Sequence, residues 1–162
     1  VLKGRVRVFK ERLNGNGAVV GAAMAALNDF LLMEKKPLLA VDCIIRKGNG
    51  IVLINRRFKP RGWALPGGLV EYGESLENAV KREMLEETGL KLRSLKQFKA
   101  YSDPKRDPRQ HSVSVVFTAE GHGSLKPNLE SSEARVFPLK RLPRLAFDHG
   151  KILKDWAKEF KE

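Results

Sequence analysis

The chain has 162 residues, 42% of them hydrophobic and 31% charged, with a formal net charge of +12. This composition is that of a globular domain and excludes disordered and fibrous classes, while the single cysteine, Cys43, excludes a disulfide framework. The basic excess favours anionic partners, but the basic residues are scattered and match no nucleic-acid-binding module, so nucleic-acid binding is not favoured although the charge leaves it open. The cysteine usage favours a cytoplasmic protein.

Residues 1–32 differ in composition from the remainder of the chain. A basic lead and the Ala-rich run Ala18–Leu27 imitate a signal peptide, but the run is short and contains Gly21. It is also shorter than the roughly 20 apolar residues that cross a bilayer, so no membrane association is expected. Because Met33 precedes the first regular pattern, we expect 1–32 to be an N-terminal extension, either non-native or poorly ordered, before a domain of residues 33–162. The alternatives are a targeting segment or an added helix.

From Pro37 onward, strand and helix signals alternate. Apolar or alternating runs predict strands, and a turn at Lys47–Gly50 predicts that the first two form a hairpin. Capping residues and amphipathic spacing predict two helices. The predicted strands are 38–45, 51–55, 112–118 and 133–139, the predicted helices are 75–88 and 148–160, and 91–101 is a mixed segment. The pattern predicts an α+β fold or a layered α/β sandwich with a mixed sheet.

The first predicted helix carries a cluster of glutamates. At about 100° of rotation per residue, Glu83, Glu86 and Glu87 fall within an arc of about 100° that coincides with the apolar stripe. A run of glutamates is usually a solvated helix face, but this phase turns the carboxylates inward. Crowded carboxylates on a buried face repel one another unless a cation lies between them, and Arg82 can serve one edge only. We therefore predict a platform for Mg²⁺ or Mn²⁺, which prefer oxygen ligands.

The residues around this helix resemble a known motif. From Gly68 to Leu90 the sequence matches the Nudix box, GX5EX7REUXEEXGU with U an aliphatic residue, at every defined position. The likeness extends over about residues 37–160. It implies an α/β/α sandwich with a mixed β-sheet flanked by helices. It also implies a hydrolase that acts on a nucleoside diphosphate linked to another moiety and uses Mg²⁺ or Mn²⁺.

Matched by position, the resemblance implies roles for individual residues. Glu83, Glu86 and Glu87 correspond to metal ligands and catalytic carboxylates, and Arg82 corresponds to the residue that orients a box carboxylate. Glu74 corresponds to a supporting position. In some members the residue at Gly67 lends a backbone carbonyl to a metal.

Hydrolysis of a diphosphate also requires a group that holds or deprotonates the attacking water. A box glutamate is one candidate. In parts of the family the base lies on a later loop, which makes Glu133 the candidate, with Glu120 and Glu130 behind it. The alternative is that Glu133 is a polar residue at the start of a strand.

The proline-containing loop 101–111 follows the box. Its basic residues suit phosphates, although a solvated loop is the alternative. Pro104 lies 15 residues after Gly89, a spacing that resembles the mark of the ADP-ribose pyrophosphatase subgroup and implies hydrolysis of ADP-ribose to AMP and ribose 5-phosphate. Basic residues before the box are either phosphate clamps or a solvated rim. The candidate substrate-binding residues are Arg57, Arg61, Tyr101, Pro104, Lys105, Arg106 and Arg109.

Other readings stay open. The substrate could be an oxidised nucleoside triphosphate, a dinucleoside polyphosphate or an RNA 5′ end. The chain could also be a non-catalytic nucleotide- or nucleic-acid-binding regulator on the same fold, whose expected sign is erosion of the box glutamates. Members of the subgroup are often homodimers, and we expect a homodimer here.

Overall fold

The computed structural model describes residues 21–27, 36–126 and 131–160. The chain divides into two units, Val1–Lys36 and Pro37–Glu162. Residues 21–27 are helical. The predicted domain boundary at Met33 falls outside the described residues and stays a prediction. None of the helices in the described ranges is long and apolar enough to cross a membrane.

The second unit is built on one mixed β-sheet. The elements of this unit are β1 (Leu38–Lys47), β2 (Gly50–Arg56), β3 (Gly62–Ala64), β4 (Gly67–Leu69), α1 (Leu76–Thr88), β5 (Lys91–Tyr101), β6 (Ser112–His122), β7 (Ser131–Pro138), a 3-10 turn (Leu139–Arg141) and α2 (His149–Phe160). The strand order is β3-β2-β1-β6-β5, with β4 paired to β1 and β7 paired to β2. Strands β1 and β6 are parallel, and the other pairs are antiparallel.

Each face of the sheet is covered by one helix. Successive residues of a strand point to opposite faces, so Cys43 packs in one core with Val80 and Met84 of α1, whereas Ile44 packs in the other with Trp156 of α2. The result is a three-layer α/β/α sandwich, which confirms the predicted fold class.

The predicted hairpin is formed only at its tip. Strands β1 and β2 pair at Arg46–Ile51 and Lys47–Gly50, whereas the far end of β2, from Ile54 to Arg56, pairs with β3. The other part of β1 pairs with β4, which lays Gly67 opposite Asp42. This divergence brings the strand that precedes the acidic helix against the buried centre of the sheet.

The acidic helix begins and ends as predicted. Ser75 Oγ accepts a hydrogen bond from the Asn78 amide at 3.3 Å, which satisfies one of the free donors of the first turn. Gly89 has φ 70°, and its amide donates to the carbonyl of Leu85 at 3.0 Å. A left-handed residue that closes a helix in this way is usually glycine, because glycine has no Cβ to oppose a positive φ.

The segment that the sequence left as mixed is the edge strand β5. Its register against β6 shifts twice, between Arg93 and Lys96 and between Gln97 and Lys99. A bulge of this kind breaks the two-residue alternation of side chains. The period that identifies a strand is therefore missing from this part of the sequence.

Candidate active site

A cleft of about 390 Å³ opens beside α1. It brings together the box and the loop 101–111, which the sequence singled out separately. Its walls come from β1, β4, α1, that loop and the start of α2. The lining residues are Ala40, Asp42, Arg56, Leu65, Gly67, Gly68, Leu69, Glu83, Glu86, Glu87, Arg106, Asp107, Arg109, Gln110, Ser112, Phe147 and His149.

Arg82 organises the outer wall of the cleft. Its guanidinium binds Glu74 through two hydrogen bonds, of 3.0 Å from Nε and 2.9 Å from Nη2. The same group donates to Glu83 at 2.7 Å and reaches Glu86 at 3.5 Å. It also donates to the carbonyl of Leu69 at 3.0 Å. The expectation that Arg82 serves one edge only was too narrow, because its planar fork of donors contacts several groups at once.

Glu87 is the buried member of the acidic cluster. It is 4% exposed, and its Oε2 accepts a hydrogen bond from the Gly67 amide at 2.8 Å. Burial raises the pKa of Glu87 to about 8, an effect that the Gly67 hydrogen bond opposes and the Glu83 charge reinforces. The contact to Gly67 runs through the amide, whereas the resemblance concerned the carbonyl of this residue.

Two glycines allow the carboxylates to lie against β4. A Cβ on Gly68 would overlap the carboxyl group of Glu83. A Cβ on Gly67 would overlap backbone atoms of Val41 and Asp42. The absence of a side chain at these two positions therefore lets β4 lie close to the central strand and to the acidic helix.

Glu86 departs from the predicted inward orientation. Its side chain is 57% exposed, against 14% for Glu83. The residue lies at the edge of the apolar stripe, so its carboxylate borders the cleft from the solvent side. All three glutamates nevertheless line the same cleft.

The donor set suits a hard divalent cation, because it consists of carboxylate oxygens beside a glycine-lined backbone. In the described part of the chain, however, no three His, Cys, Asp or Glu side chains are grouped closely enough to hold a metal ion. Glu83 is engaged by Arg82, and Glu87 by Gly67. The ligand set Glu83, Glu86 and Glu87 therefore stays a prediction.

The opposite wall contains a buried network that the sequence analysis did not find. Asp42 accepts hydrogen bonds from Ser114 Oγ at 2.5 Å and from Arg106 at 3.4 Å. Arg106 also forms a two-bond contact with Asp148, of 2.9 and 3.1 Å. Its side chain is only 5% exposed. Arg106 thus lies in the cleft as predicted, but its charge is neutralised by two carboxylates.

His149 joins this network from the start of α2. Its Nδ1 accepts a hydrogen bond from the Leu65 amide at 2.9 Å, so the neutral ring carries its proton on Nε2, which faces Asp42 at 3.7 Å. Burial lowers the pKa of His149. These contacts make His149 part of the buried framework behind the cleft.

Arg109 also lies at the cleft. It forms a two-bond ion pair with Asp107, with distances of 2.9 and 2.7 Å. Its guanidinium Cζ is 5.3 Å from the centre of the Phe147 ring. Arg56 approaches the same ring at 5.0 Å, although Arg56 was considered only as one of several basic residues before the box.

The other predicted substrate-binding residues do not line the cleft. Tyr101 is buried in the core beneath α2, and its hydroxyl donates to Asp155 at 3.2 Å. Because Tyr101 ends an edge strand, its ring follows the face of the sheet rather than the loop. Exposed positions are occupied by Arg57, Arg61, Pro104 and Lys105.

The candidate general bases also lie apart from the cleft lining. Glu133 is on β7 opposite Asn55 and forms an ion pair with Arg135. Glu120 is exposed on β6. Glu130 falls outside the described residues. The role of Glu133 stays a prediction.

The three-layer sandwich, with the box residues along one wall of a polar cleft, agrees with the Nudix class of proteins that the sequence motif indicated. Comparison with known proteins agrees with this class. The NUDIX domain model matches residues 36–156, and the chain therefore belongs to the Nudix family.

Three relatives illustrate the similarity. An ADP-ribose pyrophosphatase of Methanocaldococcus jannaschii is 51% identical over 127 residues, covering 75% of this chain and 74% of that protein. An ADPR-responsive transcriptional repressor of Acinetobacter baylyi is 35% identical, covering 72% of this chain and 52% of the repressor. The NUDIX domain of Shewanella oneidensis NrtR, solved with ADP ribose, superposes with a TM-score of 0.70 at 29% identity, covering 78% and 90% of the two chains.

Proposed function

We propose that the protein is a metal-dependent pyrophosphohydrolase that cleaves the diphosphate of ADP-ribose into AMP and ribose 5-phosphate. The observation that carries this proposal is an intact Nudix box whose three glutamates share one cleft with arginines of the loop 101–111. The names of the M. jannaschii relative and of the ADP-ribose complex support the choice of substrate.

Glu83, Glu86 and Glu87 would hold Mg²⁺ or Mn²⁺. When bound, such an ion neutralises phosphate oxygens and lowers the pKa of coordinated water. The chain itself positions these acids. Arg82 fixes Glu83 against the outer wall, and the Gly67 amide fixes Glu87 inside the cleft.

The reaction adds the oxygen of water to one phosphorus and breaks the bridging P–O bond, with the leaving phosphate accepting the bond electrons. A carboxylate must take the proton of the attacking water. A box glutamate lies in the cleft for this task, whereas Glu133 would have to act from β7. The variant Glu133→Gln distinguishes these two candidates for the general base. If Glu133 is the base, the acidic limb of the pH–rate profile flattens in this variant, and if a box glutamate is the base, the limb is unchanged.

A substrate panel tests the function directly. ADP-ribose, other nucleoside diphosphate sugars, dinucleoside polyphosphates, nucleoside triphosphates and a capped RNA end are compared under one metal condition, with products separated by chromatography. We expect AMP and ribose 5-phosphate from ADP-ribose at the highest kcat/KM, loss of turnover in EDTA, and recovery with Mg²⁺ or Mn²⁺. Turnover that is independent of metal, or another preferred substrate, would contradict the proposal.

A second candidate is a regulator that binds ADP-ribose without rapid turnover. The similarity to the A. baylyi repressor favours retaining it. The box argues against it, because every glutamate position is intact. Tight binding of ADP-ribose without hydrolysis in the presence of Mn²⁺ would favour the regulator.

We further propose a homodimer that acts in the cytoplasm, as the resemblance and the cysteine usage suggested. Light scattering on the purified chain measures the molar mass. A monomer at micromolar concentration would contradict the dimer, and secretion of the tagged protein from its native cell would contradict the compartment.

A further inference from the structure

Arg56 differs from the other two arginines that line the cleft. Arg106 and Arg109 form the ion pairs with aspartates described above. Arg56 forms no ion pair with any residue in the described ranges. Its Nε donates to the carbonyl of Pro60 at 3.1 Å, and its two terminal amino groups make no hydrogen bond within the same ranges. Those groups remain available on the cleft side of a half-buried residue.

The ring of Phe147 accompanies this guanidinium. The Cζ atom of Arg56 is 5.0 Å from the ring centre and that of Arg109 is 5.3 Å from it, within the range of a cation–π contact. Phe147 has φ 53°, a left-handed conformation that bulky residues rarely adopt. Residues held in this conformation concentrate at ligand sites, where the surrounding structure maintains them.

The electrostatics of the site favour an added anion. Burial lowers the pKa of Arg56, and the nearby charge of Arg109 lowers it further. The carboxylate of Glu87 opposes part of this effect. A partly desolvated cation with unused donors gains most from a ligand that supplies negative charge and paired oxygens. Phosphate oxygens match the planar guanidinium in this way.

We propose that Arg56 binds a phosphate oxygen of the nucleoside diphosphate substrate, and that Phe147 is a positioning residue that fixes the orientation of the Arg56 guanidinium. The identity of the substrate rests on the proposed function. The existence of an anion site at Arg56 does not, because it follows from contacts and charges alone.

The first test compares Arg56→Gln with Arg93→Gln, which removes the same charge from an exposed position on β5. Steady-state kinetics are measured on ADP-ribose with saturating Mg²⁺, together with thermal unfolding. For Arg56→Gln we expect kcat/KM to fall about tenfold or more, which corresponds to about 1.4 kcal/mol, mainly through KM. The melting temperature should fall only slightly, because the substitution removes the hydrogen bond to Pro60 and the contact with the Phe147 ring but no carboxylate partner. Wild-type kinetics, or a loss equal to that of Arg93→Gln, would overturn the proposal.

The second test concerns Phe147. Phe147→Leu keeps an apolar side chain but removes the ring, and we expect KM to rise in the same direction as for Arg56→Gln. Phe147→Tyr retains an aromatic ring, and its KM should stay at the wild-type value. A purely structural role predicts instead that both variants change the melting temperature and leave KM unchanged.

Inhibition by AMP separates this inference from the function itself. The inhibition constant of AMP is measured for the wild type and for Arg56→Gln, with Mg²⁺ and with whichever substrate of the panel is hydrolysed. We expect the constant to be about tenfold or more higher in Arg56→Gln than in the wild type. If ADP-ribose is not hydrolysed but AMP inhibition still depends on Arg56, the proposed substrate is wrong and the anion site stands. If ADP-ribose is hydrolysed and AMP inhibition ignores Arg56, the anion site is wrong.

Discussion

The two adjacent glycines of β4 provide a sharp test of how the site is built. The atoms nearest to a methyl group on Gly68 would be those of the Glu83 carboxyl group, at the end of a flexible side chain that can move aside. A methyl group on Gly67 would overlap the Val41 carbonyl and the Asp42 Cα, which are backbone atoms of the central strand. Gly68→Ala and Gly67→Ala therefore introduce the same atom with different consequences.

For Gly68→Ala the expected cost in stability is small. The contact that is disturbed joins Arg82 and Glu83, whose side chains are 25% and 14% exposed, and such partly exposed pairs contribute at most about 1 kcal/mol. The melting temperature should therefore fall by no more than about 4 °C. Turnover should fall about 100-fold, because displacement of a catalytic group by about 1 Å costs about that much.

For Gly67→Ala, overpacking against the backbone should cost about 1–3 kcal/mol and lower both stability and turnover. Gly150→Ala is the matched control, since a Cβ at this helical position meets nothing within 4 Å. It should stabilise α2 by about 0.5–1 kcal/mol and leave kinetics unchanged. Thermal unfolding and AMP release are measured on all three variants. Full turnover in Gly68→Ala, or destabilisation equal to that of Gly67→Ala, would refute this account of the site.

Further predictions concern the acids, the histidine and the N-terminal residues. Glu87→Gln should lower kcat by about 100-fold or more while the protein stays folded, because the amide oxygen keeps the bond to Gly67; near-native turnover would count against the role of Glu87. Arg82→Lys should lower kcat about tenfold or more, since one ammonium cannot replace the planar fork, and this is checked by kinetics beside Gly150→Ala. The pKa of His149 is lowered in the folded protein, so the unfolded chain binds more protons near its ordinary pKa of about 6.5, and the free energy of unfolding should decrease as pH falls through that value. When the free energy of unfolding is measured with urea at several pH values between 7.5 and 5, it should depend less steeply on pH in His149→Gln than in the wild type. An equally steep dependence on pH would contradict this role of His149. Deletion of residues 1–32 should leave kcat/KM unchanged, and a large loss in the truncated protein would show that the extension belongs to the site.

The local parts of the site could be read from the sequence because neighbouring residues determine them. Ser75 and Gly89 end the acidic helix through bonds within one turn, and fixed helical rotation places Glu83 beside Glu87. The spacing of the box therefore predicted the outer wall of the cleft. Glu86 does not point inward as predicted. It lies at the edge of the helical face, where burial of a side chain depends on which neighbouring element covers it.

The opposite wall depends on contacts between distant parts of the chain. Asp42 meets Arg106, 64 residues away, because β1 and β6 are parallel neighbours in the sheet. Arg56 and Phe147 meet only after β2 and the start of α2 have packed on the same core. Likewise, the positions of Tyr101 and Glu133 in their strands bring them against Asp155 and Arg135. Sequence alone thus determined the acidic helix and the spacing of its glutamates, whereas sheet pairing decided which arginines share its cleft, since pairing is fixed by the burial of whole faces and not by local residue spacing.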